Sequence, residues 1–211
     1  MALDIVRSFK FPFQDPDWVT KLVVGGLLGL LPVLNLLAVG YVLEVMRAGT
    51  EGREEMPPWE AWADKFVLGL VSFLIGFLYL LVPVAVMVAG GAGAALGWPG
   101  MPLFAGGTML AVLLMLAVAF LLPMALAHYA ATNRLAAAFA LGEIAARIAA
   151  VAADYLAAFV LSLTASVLTG LLVAVPLLGP PVAVFAGFYF SVVFASAFGM
   201  LYQRGEAGAA G

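Results

Sequence analysis

Between Lys65 and Arg134 the chain runs for 68 residues without one Asp, Glu, Lys or Arg. A soluble domain carries roughly 25% charged residues and must cover itself with polar groups. Here 65% of residues are hydrophobic and only 10% are charged. In a bilayer, helices and closed barrels alone satisfy every backbone group. The apolar runs are long, rich in Leu, Val and Ala, and do not alternate, so they read as helices rather than barrel strands. The expected fold is all-α: a polytopic helical membrane protein with four full transmembrane helices, an N-terminal Pro-broken apolar segment and short interfacial amphipathic helices.

The apolar segments fall at about 22–43, 66–89, 103–127, 155–176 and 182–203. They form one membrane domain over residues 1–203. A charged loop, 44–65, follows the first segment. Within it Pro57-Pro58 reads as the start of an interfacial helix with Trp59, Trp62 and Phe66 on one face. Residues 134–153 read as a helix along the membrane surface, with Glu143, Arg147 and Asp154 within about 40° on a helical wheel. The tail, 204–211, is expected to be disordered. MALDIVRSFK lacks the apolar core of a signal peptide, so the whole chain reads as mature protein.

The first apolar segment is ambiguous. Asp15-Pro16-Asp17-Trp18 has the character of an N-cap, a Pro at the first helical position and an acid in the first turn. Residues 22–43 are just long enough to cross ~30 Å of hydrocarbon. Yet Pro32 and Asn35 fall near the middle and mark a helix break. Lys and Arg counts decide between a hairpin and a crossing. A single crossing separates Arg7, Lys10 and Lys21 from the other six cations. A re-entrant hairpin places all nine on one side and is favoured. A Pro-kinked single crossing is the alternative. The 44–65 loop, the 128–154 segment and the C-terminus are then cytoplasmic. Trp18, Trp59 and Trp62 are expected to be interfacial anchors.

Two rows of small residues recur four apart: Ala158, Ser162, Ser166, Gly170 and Ala174, then Ala183, Gly187, Ser191, Ala195 and Gly199. Such rows let helix backbones approach closely in membranes. They predict a tight antiparallel pair of the last two spans, or one row turned towards a second protomer. There is also an internal echo, GLLGLLPVLN at 26–35 and GLLVAVPLLG at 170–179.

The chemistry points away from catalysis. Cysteine is absent, so no thiolate metal site exists, and no cofactor is expected. His128 is the sole histidine and reads as an interfacial residue beside Tyr129. Glu51, Glu54 and Glu55 read as a solvated charge run. Asn35 reads either as the cap of a half-helix or as part of an aqueous vestibule. With no acid deep in a span and no nucleophile–base pair, neither a proton-coupled pump nor an enzyme is expected. No basic tract points to nucleic acid. The expected partners are the lipid bilayer and a second copy or other membrane proteins.

FPFQDPDWVTKLVVGGLLGLLPVLN, then GYVLEVMR, MPPWEAWADKFVLGL and FGMLYQR, occur in this order. Together they resemble a family of prokaryotic multi-pass membrane proteins described as a domain of unknown function, number four thousand and thirteen. The resemblance implies a helical protein of a prokaryotic cell membrane and supplies no activity or site residues. The first expectation for function is a non-enzymatic scaffold or accessory subunit of a membrane complex. The alternative is a small oligomeric permease or channel using Pro32–Asn35. A lipid-handling enzyme at the 128–154 surface stands last.

Overall fold

A computed structural model describes residues 5–209; residues 1–4, 210 and 211 and the side chains of residues 5–7 and 209, among them Arg7, one of the cations counted above, lie outside the described residues. Among the described residues eight α-helices follow one another: α1 (Ile5–Lys10), α2 (Trp18–Gly29), α3 (Asn35–Thr50), α4 (Trp62–Ala95), α5 (Met101–Thr132), α6 (Leu141–Ala150), α7 (Ala152–Leu172) and α8 (Gly179–Ala209). Single 3-10 helices occur at Phe11–Gln14, Trp98–Gly100 and Leu135–Phe139. There is no strand among the described residues. Four helical stretches are long and apolar enough to cross a membrane: Trp62–Ala95, Trp98–Thr132, Ala152–Leu172 and Gly179–Gly208. The chain is a helical multi-pass membrane protein. Pro83 and Pro123 sit inside α4 and α5, as membrane helices tolerate.

The break near Pro32 is real. Leu30–Leu34 turn the chain between α2 and α3, and Pro32, lacking an N–H, cannot continue the α2 ladder. At ~1.5 Å per residue the 12 residues of α2 reach roughly 18 Å, too short to cross a bilayer. Asn35 is the first residue of α3 and makes no side-chain cap. Asp15 acts two residues earlier than the N-cap: its Oδ1 accepts the Asp17 N–H at 2.8 Å, and the helix begins at Trp18.

α3 is the centre of the molecule. It packs against α4 on one side and α8 on the other, with Tyr41, Val45 and Leu43 buried. Glycines permit this. A methyl added at Gly40 would fall on the Lys65 carbonyl, and one at Gly69 on the Leu36 carbonyl. Gly49 and Gly199 stand in for each other across α3 and α8 in the same way. α4 and α5 form a long antiparallel hairpin whose outer part touches little else, with Gly90 against Gly107.

Three expected elements differ. Pro57-Pro58 starts no helix: residues 53–61 are irregular, and α4 begins only at Trp62, after Ala61 in the left-handed region at φ 49°. Tertiary contacts of Trp59, described below, hold this stretch off the helix. α8 continues through the first part of the expected tail as far as Ala209, with Gly205 against the Arg147 backbone and Glu206 paired with Arg147, and residues 210 and 211 lie outside the described residues. The surface segment is also divided: Leu135–Phe139, then α6, then a break at Val151 before α7.

Candidate functional site

The α2–α3 hairpin closes at its base. Lys21 Nζ donates to the Met56 carbonyl at 2.7 Å and pairs with Asp15 Oδ2 at 2.6 Å. Trp59 Nε1 donates to the Lys21 carbonyl at 3.0 Å, and the Trp59 ring stacks on Tyr41 at 4.3 Å and on Trp62 at 5.5 Å. The chain entering α2 and the chain leaving α3 therefore meet. At the opposite end the tip, from Leu30 to Asn35, is wholly exposed, Pro32 and Asn35 included. Of the three expected anchors, Trp59 is half-buried in this latch, Trp18 meets Phe13 edge-on, and Trp62 is exposed.

Asn35 lines a cavity of about 230 Å³ with Gly29, Ala38, Val184, Phe188 and Ser191. That cavity adjoins a larger cleft of about 640 Å³ between α7 and α8, because Val184 and Ser191 line both. The cleft holds much of the two small-residue rows. Ser162, Ser166 and Gly170 face Ala183, Gly187 and Ser191 across it. The rows close at their inner ends, where Ala158 is buried near Val193 and Ala197, and a methyl added at Gly187 would touch Thr169 Cγ2 at 3.6 Å. Ala195 and Gly199 are buried too, but Gly199 packs on α3. Ala174 is exposed on the α7–α8 turn. α7 and α8 are antiparallel neighbours that splay apart, and the tight glycine pair is α3 with α8. The cleft hydroxyls are turned inward. Ser162 donates to Phe159 O, Ser166 to Ser162 O and Ser191 to Gly187 O, at 2.7–2.9 Å. Thr169 Oγ1 alone among them is buried with no hydrogen-bond partner.

The charges gather at the other end of the bundle. Lys65, only 2% exposed, pairs with Glu44 at 2.7 Å and donates to Glu60 O at 2.8 Å. Arg47 Nε donates to Ala130 O at 2.9 Å, fastening α3 to the end of α5. Arg53 pairs with Glu51 and Glu55. His128 is 3% exposed and lies where α5, α6 and α8 converge, with Nε2 at 3.4 Å from Glu143 Oε2. Arg147 pairs with Glu206, while Asp154 pairs with Arg204 at 3.5 Å. So Glu143 and Arg147 reach into a junction that Asp154 does not share. Sequence reasoning missed the Lys65–Glu44 pair and the burial of His128. Both depend on residues brought in from other helices, and a wheel drawn for one helix carries no such signal. Among the described residues no three His, Asp or Glu side chains group closely enough to hold a metal ion.

A family model described as "Protein of unknown function (DUF4013)" matches residues 23–178. The matched range begins inside α2 and ends in the α7–α8 turn. No curated protein matches the chain, and no solved structure does.

Proposed function

The chain belongs to the DUF4013 family of proteins of unknown function, and from that premise we propose a non-enzymatic membrane subunit that works by packing against other membrane proteins. One observation carries this reading: the cleft of about 640 Å³ between α7 and α8, lined by the small-residue rows together with Phe190 and Phe194, in a stretch where both helices are apolar enough to lie in lipid. Membrane helices associate by close backbone approach at small residues. Rows that stay unfilled within one chain are surfaces ready for a partner's side chains. The exposed tip at Leu30–Asn35 supports the same conclusion. Non-helical backbone at membrane depth persists only when covered by protein or lining water, and within this chain the tip is uncovered. In this reading α2–α3 is a half-penetrating hairpin, and the charged end faces the cytoplasm of a prokaryotic cell.

The test is a gentle-detergent pull-down from native membranes, comparing wild type with Ser166→Leu and Gly170→Leu, which fill the cleft. Stoichiometric membrane partners, or a second copy, should accompany the wild type and be lost with the variants. A chain that comes down alone in both cases overturns the proposal.

A second reading, a small oligomeric permease, draws on Asn35 and Ser191 lining the adjoining cavity of about 230 Å³. It requires that Asn35→Leu abolish solute or ion flux in proteoliposomes while the protein stays folded.

A further inference from the structure

The junction of α5, α6 and α8 holds the sole histidine of the chain. His128 is buried, its ring lies against the backbone of Ala137, and Nε2 is 3.4 Å from the carboxylate of Glu143, itself 65% exposed. The ring leans on Tyr202, with centroids 5.6 Å apart. The same tyrosine also meets a cation. The Arg147 guanidinium sits 4.3 Å from the Tyr202 ring centre, and its Nη1 is buried without a hydrogen-bond partner. Glu206 of α8 balances Arg147 at 3.4 Å.

The remaining neighbours of α5 add no free counter-charge. α3 presents Arg47, committed to Ala130 O and Asn133 Oδ1. α4 presents Lys65, paired with Glu44, and Tyr79, whose hydroxyl donates to Ala138 O. The 3-10 helix contributes the backbone of Ala137. Apart from His128, α5 itself carries no Asp, Glu, Lys or Arg.

We propose that α6 is a proton-sensitive clamp, docked on α5 and α8 while His128 is neutral and released when His128 takes a proton. A neutral imidazole suits this pocket. A buried imidazolium would be desolvated beside Arg147, with the exposed carboxylates of Glu143 and Glu206 and the Ala137 backbone in partial compensation, and a buried charge without full pairing is costly. Histidine alone among these side chains titrates ordinarily between pH 5 and 8. The element that yields is α6. It has ten residues, it brings both Glu143 and Arg147 to the pocket, and it is bounded by breaks at Ala140 and Val151. Ile144 and Ile148 are the buried residues that its release exposes. Docking is thus present at neutral pH and lost as pH falls through the histidine range.

The experiment uses the full chain in lipid nanodiscs. Amide hydrogen exchange of residues 141–150 is read at pH 7.5 and 5.5, corrected for intrinsic rates, with NMR of the single labelled histidine giving its charge directly. Acidification should raise α6 exchange by about tenfold or more in step with ring protonation, and His128→Phe should remove the pH response. Glu143→Gln, which keeps the ring, should move the response to lower pH and serves if the Phe variant misfolds. Equal protection of α6 with the ring protonated overturns the proposal. So does a ring that stays neutral at pH 5.5, or a pH response that survives in His128→Phe.

Discussion

The indole of Trp59 donates to the backbone oxygen of Lys21, 38 positions earlier, at 3.0 Å. These residues flank the α2–α3 hairpin on its two sides, and the half-penetrating hairpin proposed above would hold both at one face of the membrane. Cysteines introduced at Gln14 and Pro58, both exposed, should therefore react with an impermeant thiol reagent from the same side of the membrane. Labelling from opposite sides contradicts the hairpin. Ser8 and Thr50 are poorer probes, since both are buried. Trp59→Phe keeps the stack on Tyr41, loses the hydrogen bond, and should cost about 1 kcal/mol.

The glycines of α3 and α4 make a sharper prediction. Gly40→Ala and Gly69→Ala each push a methyl into a neighbouring carbonyl and should destabilise by about 1–3 kcal/mol. At Gly76 and Gly106 an added methyl meets open space. There the change should be neutral, or stabilising by up to about 1 kcal/mol from helix propensity. Thermal midpoints in detergent separate the two pairs, and equal midpoints contradict the α3–α4 packing.

The buried ion pair predicts non-additivity. Glu44→Gln leaves the enclosed Lys65 cation with neutral acceptors in place of its counter-charge, and should cost about 3 kcal/mol. The double change Glu44→Leu with Lys65→Met should recover most of that loss. A double variant worse than the sum of the single ones would show that the pair is needed for the fold itself.

The small-residue rows divide into closed and open ends. Ala158→Leu enters a packed site beside Val193 and Ala197 and should destabilise by about 1–3 kcal/mol. Gly170→Leu enters a cleft where an added methyl meets nothing, and the folded fraction should not change. If both variants unfold alike, the cleft is closed in the membrane.

Much of the architecture is written locally. The charge-free stretch ahead of Arg134, the break at Pro32 and the four apolar spans follow from hydropathy and from the chemistry of proline, which act over a few neighbouring residues. The echo at 26–35 and 170–179 lands on two hairpin turns, Leu30–Leu34 and Val173–Leu178, for the same local reason. Small residues at spacing four do not say which helix they will meet. Gly199 belongs to the α8 row yet packs on α3. Pro57-Pro58 carries a helix-start signal, and Trp59 overrides it by stacking on Tyr41.

Helix class and span number were thus determined by the sequence alone, because the bilayer imposes one rule on every backbone group and apolar length satisfies it residue by residue. Tertiary structure decided which faces close, that Lys21 meets Trp59, and that His128 lies buried between α5, α6 and α8. Those outcomes rest on the fit of side chains many residues apart in the chain, such as the Tyr189 hydroxyl on Phe9 O at 2.7 Å. No periodicity within a single helix encodes that fit.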